Sequence, residues 1–278
     1  MRPLADWPLA ARRQVIGVFT DIDDTLTTHG AITADALAAL ADLKQAGLHV
    51  VPITGRPVGW STVFAQGDRQ TGTAPWPVDA IVAENGAVAI VQNKNDQLLT
   101  QNLPSLLQKI YQQDAATRAV NYARMQRVAQ RIVAEVAGAH LSQDSQGRET
   151  DIAIDHSEFT HLGPDQIAKV VAIMQAEGMV ATVSSIHVNG WFGAHNKLEG
   201  ARWIVRELFN RDLDTERNRW VYVGDSTNDE LMFAAFENSV GVANIARFLP
   251  QILTPPRYVT QGERGAGFAE VARALLAI

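Results

Sequence analysis

Short β-branched runs alternate with stretches of helical spacing along most of this 278-residue chain. VIGVFT (15–20) is followed by TADALAALADLKQAG (33–47), then by LHVVPI (48–53) and PVDAIVAENG (77–86). Toward the C-terminus NKLEGARWIVRELF reads as helix, WVYVGD as strand, NDELMFAAF as helix, SVGVAN and RYVT as strands, and GFAEVARALLAI as a last helix. Strands separated by helices of that length imply right-handed crossovers and a parallel sheet. The two ends of the chain therefore predict one α/β domain, a Rossmann-like core with helices on both faces of the sheet.

The middle has another texture. AVAIVQNKNDQLLT predicts a hairpin strand with its turn, and PSLLQKIYQQDAATRAVNYARMQRVAQRIVAEV predicts one long or broken helix. ETDIAIDH follows as a strand, GPDQIAKVVAIMQAEG as a helix, and MVATVSSIHVNG as one strand or two joined by a turn. This pattern predicts an inserted α+β domain over 87–189, with 1–86 and 190–278 forming the core. Hinges are expected near Glu84-Asn85-Gly86 and Gly190-Trp191-Phe192-Gly193.

Composition narrows the picture without changing it. An apolar content of 46% with 19% charged residues is that of a soluble globular protein, long enough for one large or two ordinary domains. No apolar run approaches the roughly 20 residues of a membrane helix, and MRPLADWPLAARRQ lacks the apolar core of a secretory signal, so a cytoplasmic location and no membrane partner are expected. The absence of cysteine removes disulfides, thiolate metal sites and cysteine nucleophiles, leaving oxygen or histidine for any metal. A net charge of -6 with no basic run argues against nucleic-acid partners. Nothing in the pattern fixes an oligomeric state.

Candidate chemistry gathers at predicted strand ends. VFTDIDDT sets Asp21, Asp23 and Asp24 directly behind an apolar strand. A calcium loop fits poorly: the glycine position of such a loop is Leu26, its closing glutamate position is Ile32, and a strand rather than a helix precedes it. Helix capping explains one acid but not three. A non-catalytic acidic magnesium pocket stays open. In an open parallel sheet, ligands bind beyond the carboxyl ends of the strands, where Asp21 and Asp23 emerge. LHVVPITGRP runs through a strand into Thr54, Gly55 and Arg56, WVYVGDSTND into Asp225, Asn228 and Asp229, and HNKLEG puts Lys197 at a helix start.

In combination these segments resemble the haloacid dehalogenase superfamily of phosphohydrolases. The family's Asp-x-Asp-x-Thr motif matches VFTDIDDT, its strand ending in Thr or Ser matches VVPIT, its lysine matches Lys197, and its Gly-Asp-x-x-x-Asp matches GDSTND. The insertion after the second motif resembles the class IIB branch, whose α/β cap lies between motifs two and three and which includes sucrose-phosphate and mannosyl-3-phosphoglycerate phosphatases. The resemblance implies a phosphatase of small phosphorylated metabolites, sugar phosphates foremost, using Mg²⁺. It implies Asp21 as nucleophile and Asp23 as the acid and then the base. Asp21, Asp225 and the backbone carbonyl of Asp23 would hold the metal, with Asp229 a ligand or its support, and Thr54, Lys197 and Asn228 would bind the phosphate. A phosphomutase, a carbon–halogen hydrolase and a non-catalytic sensor are the competing readings. Retention of both Asp21 and Asp23 weighs against the sensor.

Arg56 either lines the pocket or forms a surface ion pair. His187 and Asn189 share a strand face and either touch a leaving group or face solvent, the second being simpler. Asp24 reads as a loop or capping residue, His156 and His161 as surface residues of a polar segment, and His195 as a loop former. Trp60, Trp76 and Trp191 read as packing between cap and core.

Overall fold

The computed structural model describes residues 1–68, 74–92 and 107–277. Arg2–Pro3 (β1) leads through a short helix, Leu9–Arg12 (α1), into Gly17–Thr20 (β2). A small hairpin follows, Thr27–Thr28 (β3) with Ala31–Ile32 (β4), then Ala34–Gln45 (α2), His49–Pro52 (β5) and Val58–Gln66 (α3). Ala80–Ala83 (β6), Val88–Gln92 (β7) and Leu107–Tyr111 (β8) form an antiparallel ladder. The inserted unit comprises Ala115–Glu135 (α4), His140–Leu141 (β9), Ile152–Asp155 (β10), Pro164–Ala176 (α5), Val180–Val183 (β11) and His187–Trp191 (β12). The chain returns through Lys197–Phe209 (α6), Leu213–Glu216 (α7), Trp220–Gly224 (β13), Glu230–Ala235 (α8), Asn238–Gly241 (β14), Tyr258–Val259 (β15) and Arg264–Leu276 (α9).

The central sheet has the order β1-β15-β14-β13-β2-β5, and every pairing in it is parallel. Its strands are apolar on both faces because helices cover both. Val18, Val50, Val221 and Val223 point into a layer with Leu40 and Leu43 of α2 and Phe268 and Leu275 of α9. Their strand neighbours Phe19, Val51, Trp220 and Tyr222 point the other way, against Ile204 and Val205 of α6 and Met232 and Phe233 of α8. Each of these large side chains leaves water almost completely, worth roughly 1.5–3 kcal/mol apiece.

Two expectations change here. The strand assigned to the start of the insertion, β7, pairs with β6, which joins β5 through a parallel bridge between Ile53 and Val82. Val88 and Ile90 lie in one core layer, Ala89 and Val91 in the other. The chain thus extends the core sheet up to Tyr111 before the inserted unit begins, and residues 107–111, expected as helix, are the strand β8. An apolar run such as LLQKIY does not separate strand from helix by periodicity alone. The turn expected after Gln92 and the helix start expected at Pro104 lie outside the described residues. The N-terminal extension is also fixed: β1 pairs with β15, and the Trp7 indole, 1% exposed, donates to Asn238 Oδ1 at 3.0 Å.

The inserted unit is an antiparallel sheet, β11-β12-β10-β9, with α4 and α5 on one face. Val188 faces those helices, while His187 and Asn189 turn toward the core domain. The expectation of one strand or two over MVATVSSIHVNG resolves as two, joined by a tight turn at Ser184–Ile186.

The start of α6 is positioned by a backbone contact. Gly86, at φ +106°, lies so close to α6 that an added Cβ would stand 2.3 Å from Asn196 O. Gly200 meets Gly86 from the other side, and the Asn196 side chain caps the helix by accepting from Glu199 N at 2.9 Å. Gly86→Ala therefore pushes directly on the turn that carries Lys197. A loss of about 2–4 kcal/mol is expected, read as a lower melting temperature in calorimetry. A change within a few tenths of a kcal/mol would show that this contact yields freely.

Candidate active site

β13, β2 and β5 are neighbours in the sheet, and their carboxyl ends carry the residues singled out above. Asp21 N continues the ladder by donating to Val223 O at 2.9 Å, and Thr54 N does the same to Val82 O at 2.9 Å. Asp21, Thr54 and Asp225 therefore emerge side by side. Lys197, the first residue of α6, reaches across to donate to Asp21 Oδ1 at 2.8 Å and to Asp229 Oδ1 at 2.7 Å.

Asp229 holds the other end of this bridge rigidly. It accepts from the Tyr222 hydroxyl, from Asp225 N at 2.9 Å and from Ser226 N at 3.1 Å. Oxygens of Asp21, Asp225 and Asp229 converge within 4.8 Å of one another, all buried. Such a cluster is costly in a low dielectric. Burial pushes the Asp21 carboxyl up to about 7 against the pull of Lys197. Burial and the neighbouring Asp229 and Asp21 carboxylates hold Asp225 well above the usual range. Burial alone would lower Lys197, but Asp21 and Asp229 raise it above the ordinary lysine value. Asp225 Oδ2 accepts from Asn244 at 3.0 Å and Arg247 at 3.3 Å, whereas its Oδ1 is buried without a hydrogen-bond partner. A buried carboxylate oxygen left in this way, beside two others, is a donor set suited to a hard cation.

Asp23 points to the opposite wall. Its carboxylate takes both Nε and Nη2 of Arg56, at 2.9 and 3.0 Å. Arg56 lines the pocket rather than the outer surface, and it is not free there: it is buried, lies over Trp60, and also donates to Asp144 at 3.1 Å and Glu158 at 2.7 Å of the inserted unit. Glu158 accepts in turn from His187 Nε2 at 2.9 Å. Burial alone would raise Asp144, but Arg148, Ser142, His187 and Arg56 outweigh it and hold its carboxyl down at about 2.

The core and the inserted unit meet through further buried polar groups. Glu84, fully buried, accepts from Val58 N and from Glu149 N and Thr150 N. Arg148 donates to Gly55 O at 2.9 Å and pairs with Asp151 at 2.8 Å, while Asn189 donates to Asp151 at 2.9 Å. Burial pushes Asp151 up to about 7.

Asp21, Asp23, Thr54, Arg56, His187, Asn189 and Asn228 thus line one narrow cleft, together with Gly55 and the turn Ser184–Ile186. Lys197, Asp225 and Asp229 stand behind Asp21. His187 and Asn189, each 2% exposed, are not on a solvated face. His156 is also buried, its ring between Ser157 Oγ at 2.7 Å and Ser184 O at 3.1 Å, whereas His161 is exposed. Asp24, at φ 54°, pairs with Arg247 at 2.6 Å and Arg264 at 3.0 Å. Trp76 packs within the core, whereas Trp191 packs within the inserted unit and its indole donates to His195 O at 2.9 Å on the return to α6. His195 stacks on Trp191 at 5.4 Å, and burial lowers its ring to about 4.

Several participants escaped sequence reasoning. Tyr222 had a weak signal, since a tyrosine in a fully buried strand needs an acceptor for its hydroxyl. Asp144, Arg148 and Glu158 sit in polar segments that look like solvated surface, and only the docking of the inserted unit makes them partners of Arg56.

The family model for haloacid dehalogenase-like hydrolases matches residues 18–186, more than half of the chain, and the chain belongs to that family. No curated protein matches it by sequence. Among solved structures, Thermoplasma acidophilum 0175 superposes with a TM-score of 0.68 at 15% identity, covering 95% of this chain and 99% of that one. The sucrose-phosphatase of Synechocystis sp. PCC6803, solved with sucrose and phosphate, gives 0.63 at 15% identity over 94% and 98%. A subclass IIB sugar phosphatase of the same superfamily gives 0.60 at 15% identity over 94% and 99%. The fold is that of the class IIB hydrolases. Among the described residues no helix is long and apolar enough to cross a membrane.

The depressed carboxyl of Asp144 predicts a pH dependence. A group at about 2 in the fold and 3.8 when unfolded contributes stability fully above pH 3.8, and that contribution is lost as pH falls through 2. Asp144→Asn should therefore cost about 2 kcal/mol at pH 7, and the gap from wild type should close between pH 4 and 2 in urea titrations. An equal gap at pH 7 and pH 2 would contradict the assignment.

Proposed function

We propose that the protein is a Mg²⁺-dependent phosphatase of small phosphorylated metabolites, sugar phosphates foremost, acting through an aspartyl-phosphate. The observation that carries this reading is the pairing of Asp21 with Lys197 at 2.8 Å in a buried cluster with Asp225 and Asp229, directly behind a cleft lined by Asp21 and Asp23. Membership of the hydrolase family and the structural likeness to a sucrose-phosphatase and a subclass IIB sugar phosphatase support it.

In this mechanism a carboxylate oxygen of Asp21 attacks phosphorus and the ester P–O bond breaks. Asp23 donates its proton to the departing alkoxide. It then takes a proton from a water that attacks the phosphorus of the aspartyl-phosphate, releasing inorganic phosphate and restoring Asp21. Lys197, Thr54 and Asn228 hold the phosphate oxygens in line with Asp21, since phosphoryl transfer depends mainly on position and charge. The unpartnered Asp225 Oδ1 and the convergence of carboxylates within 4.8 Å support a cation held by Asp21, Asp225 and the Asp23 carbonyl, with Asp229 as ligand or support. Mg²⁺ bound there supplies the positive charge that lets an anionic nucleophile approach an anionic phosphate. The inserted unit acts as the cap, excluding bulk water and choosing the leaving group.

Asp21→Asn should retain the fold and lower p-nitrophenyl phosphate hydrolysis by at least ~10³-fold, and EDTA should abolish wild-type turnover until Mg²⁺ is restored. Wild-type rates in either case would overturn the reading.

A further inference from the structure

Few oxygens of the three clustered carboxylates are left for a cation. A carboxylate has about four acceptor positions. Those of Asp229 are all filled, Oδ1 by Lys197 Nζ and the Tyr222 hydroxyl, Oδ2 by Asp225 N and Ser226 N. Asp21 gives Oδ1 to Lys197 and lines the cleft. On Asp225, Oδ2 takes two donors, Asn244 Nδ2 at 3.0 Å and Arg247 Nη2 at 3.3 Å, and Oδ1 is left over, buried and unpartnered. Asn244 fixes this division. Its Oδ1 accepts from Arg264 N at 2.9 Å, and because a backbone N–H only donates, the other end of the amide is the NH₂, which donates both to Asp225 and to Asp24 O at 3.0 Å. One buried side chain thus ties together the loop after β2, the end of β13 and the first residue of α9.

We propose that Asn244 is a positioning residue for the cation: by occupying Asp225 Oδ2 it makes Asp225 a one-oxygen ligand, and it thereby sets the preference of the site for a small octahedral ion such as Mg²⁺ over Ca²⁺. The inference rests on the cation-dependent reading above and adds what selects the ion. Ca²⁺ takes about six to eight oxygens, often both from one carboxylate, whereas Mg²⁺ keeps several of its waters and needs roughly one or two carboxylate contacts. Asp225 chelates through both oxygens only if Oδ2 gives up Asn244 and Arg247. Asp229, with its acceptor positions filled, does not make up the difference and acts as support rather than ligand. Asn244 carries no charge, so its removal changes how many oxygens Asp225 offers and where they point while leaving the net charge of the site as it was. Arg247 differs, being a half-exposed cation shared with Asp24 at 2.6 Å, and its replacement alters the field felt by both ions.

Dissociation constants of the metal-free protein for Mg²⁺ and Ca²⁺ test this, each read by displacement of Mn²⁺, whose electron paramagnetic resonance signal separates free from bound ion. Asn244→Ala is expected to weaken Mg²⁺ binding by at least ~10-fold and Ca²⁺ binding by less, so that the preference for Mg²⁺ over Ca²⁺ falls. Asn244→Ser keeps a hydroxyl for Arg264 N while withdrawing the amide from Asp225, and it is read in the same way where the alanine protein does not fold. Unchanged Mg²⁺ binding overturns the inference, and so do equal losses for the two ions, as a general loosening of the three joined segments would give. Failure of the wild-type protein to bind Mn²⁺, Mg²⁺ or Ca²⁺ removes the cation-dependent reading and this inference together, whereas wild-type binding with an unaltered ratio in the variant removes the inference alone.

Discussion

One ammonium group makes the rest of the site tenable. Asp21, Asp225 and Asp229 would repel one another at the buried ends of two adjacent strands, and Lys197 lies between Asp21 and Asp229 at 2.8 and 2.7 Å. Removing a single partner from such a buried set leaves an uncompensated charge, which costs far more than the net worth of the pair. The lysine's position depends in turn on backbone geometry: the contact of Gly86 with Asn196 and Gly200 sets where α6 begins. Asp229, gripped by Tyr222 and two backbone amides, keeps the far end of the bridge from moving. The parallel sheet contributes the remaining constraint, because only neighbouring strands bring Asp21, Thr54 and Asp225 out at one edge.

The junction between core and inserted unit follows a different logic from the cores of either. It is polar and directional, made by Arg56, Arg148, Glu84, Asp151 and Asn189 rather than by interlocking apolar side chains. Apolar contacts tolerate sliding, whereas a guanidinium shared among three carboxylates fits one register. Arg56 and Asn189, two of the groups that dock the inserted unit, also line the cleft.

Much of the core was legible because its signals are local. An apolar strand followed at once by Asp21 and Asp23, another by Thr54, and a third by Asp225 and Asp229 each carry their meaning within ten residues, and parallel topology brings them together. Lys197 at a helix start says little alone; only the resemblance to the family's lysine motif singles it out. The interface was not, because Arg56, Asp144 and Glu158 are distant in sequence and each alone looks like a solvated surface charge. The same reason hid the burial of His156, His187 and Asn189: alternation shows which residues share a strand face, not what covers it. β7 is the strand its pattern predicts, but β8 reads as helix because a short apolar run fits either, and the pairing of β7 with β6, which puts it in the core, is a tertiary fact.

The central claim, that Asp21 carries the phosphoryl group, is tested most directly by trapping it. In Asp23→Asn, p-nitrophenyl phosphate needs no acid to expel its leaving group, but hydrolysis of the phosphoenzyme lacks its base, so the intermediate should accumulate. Acid quench after a burst of nitrophenolate, followed by mass spectrometry of the peptide containing residues 18–27, should find the phosphate on Asp21. A burst with Asp21 unmodified, or with the phosphate on another residue, would contradict the account.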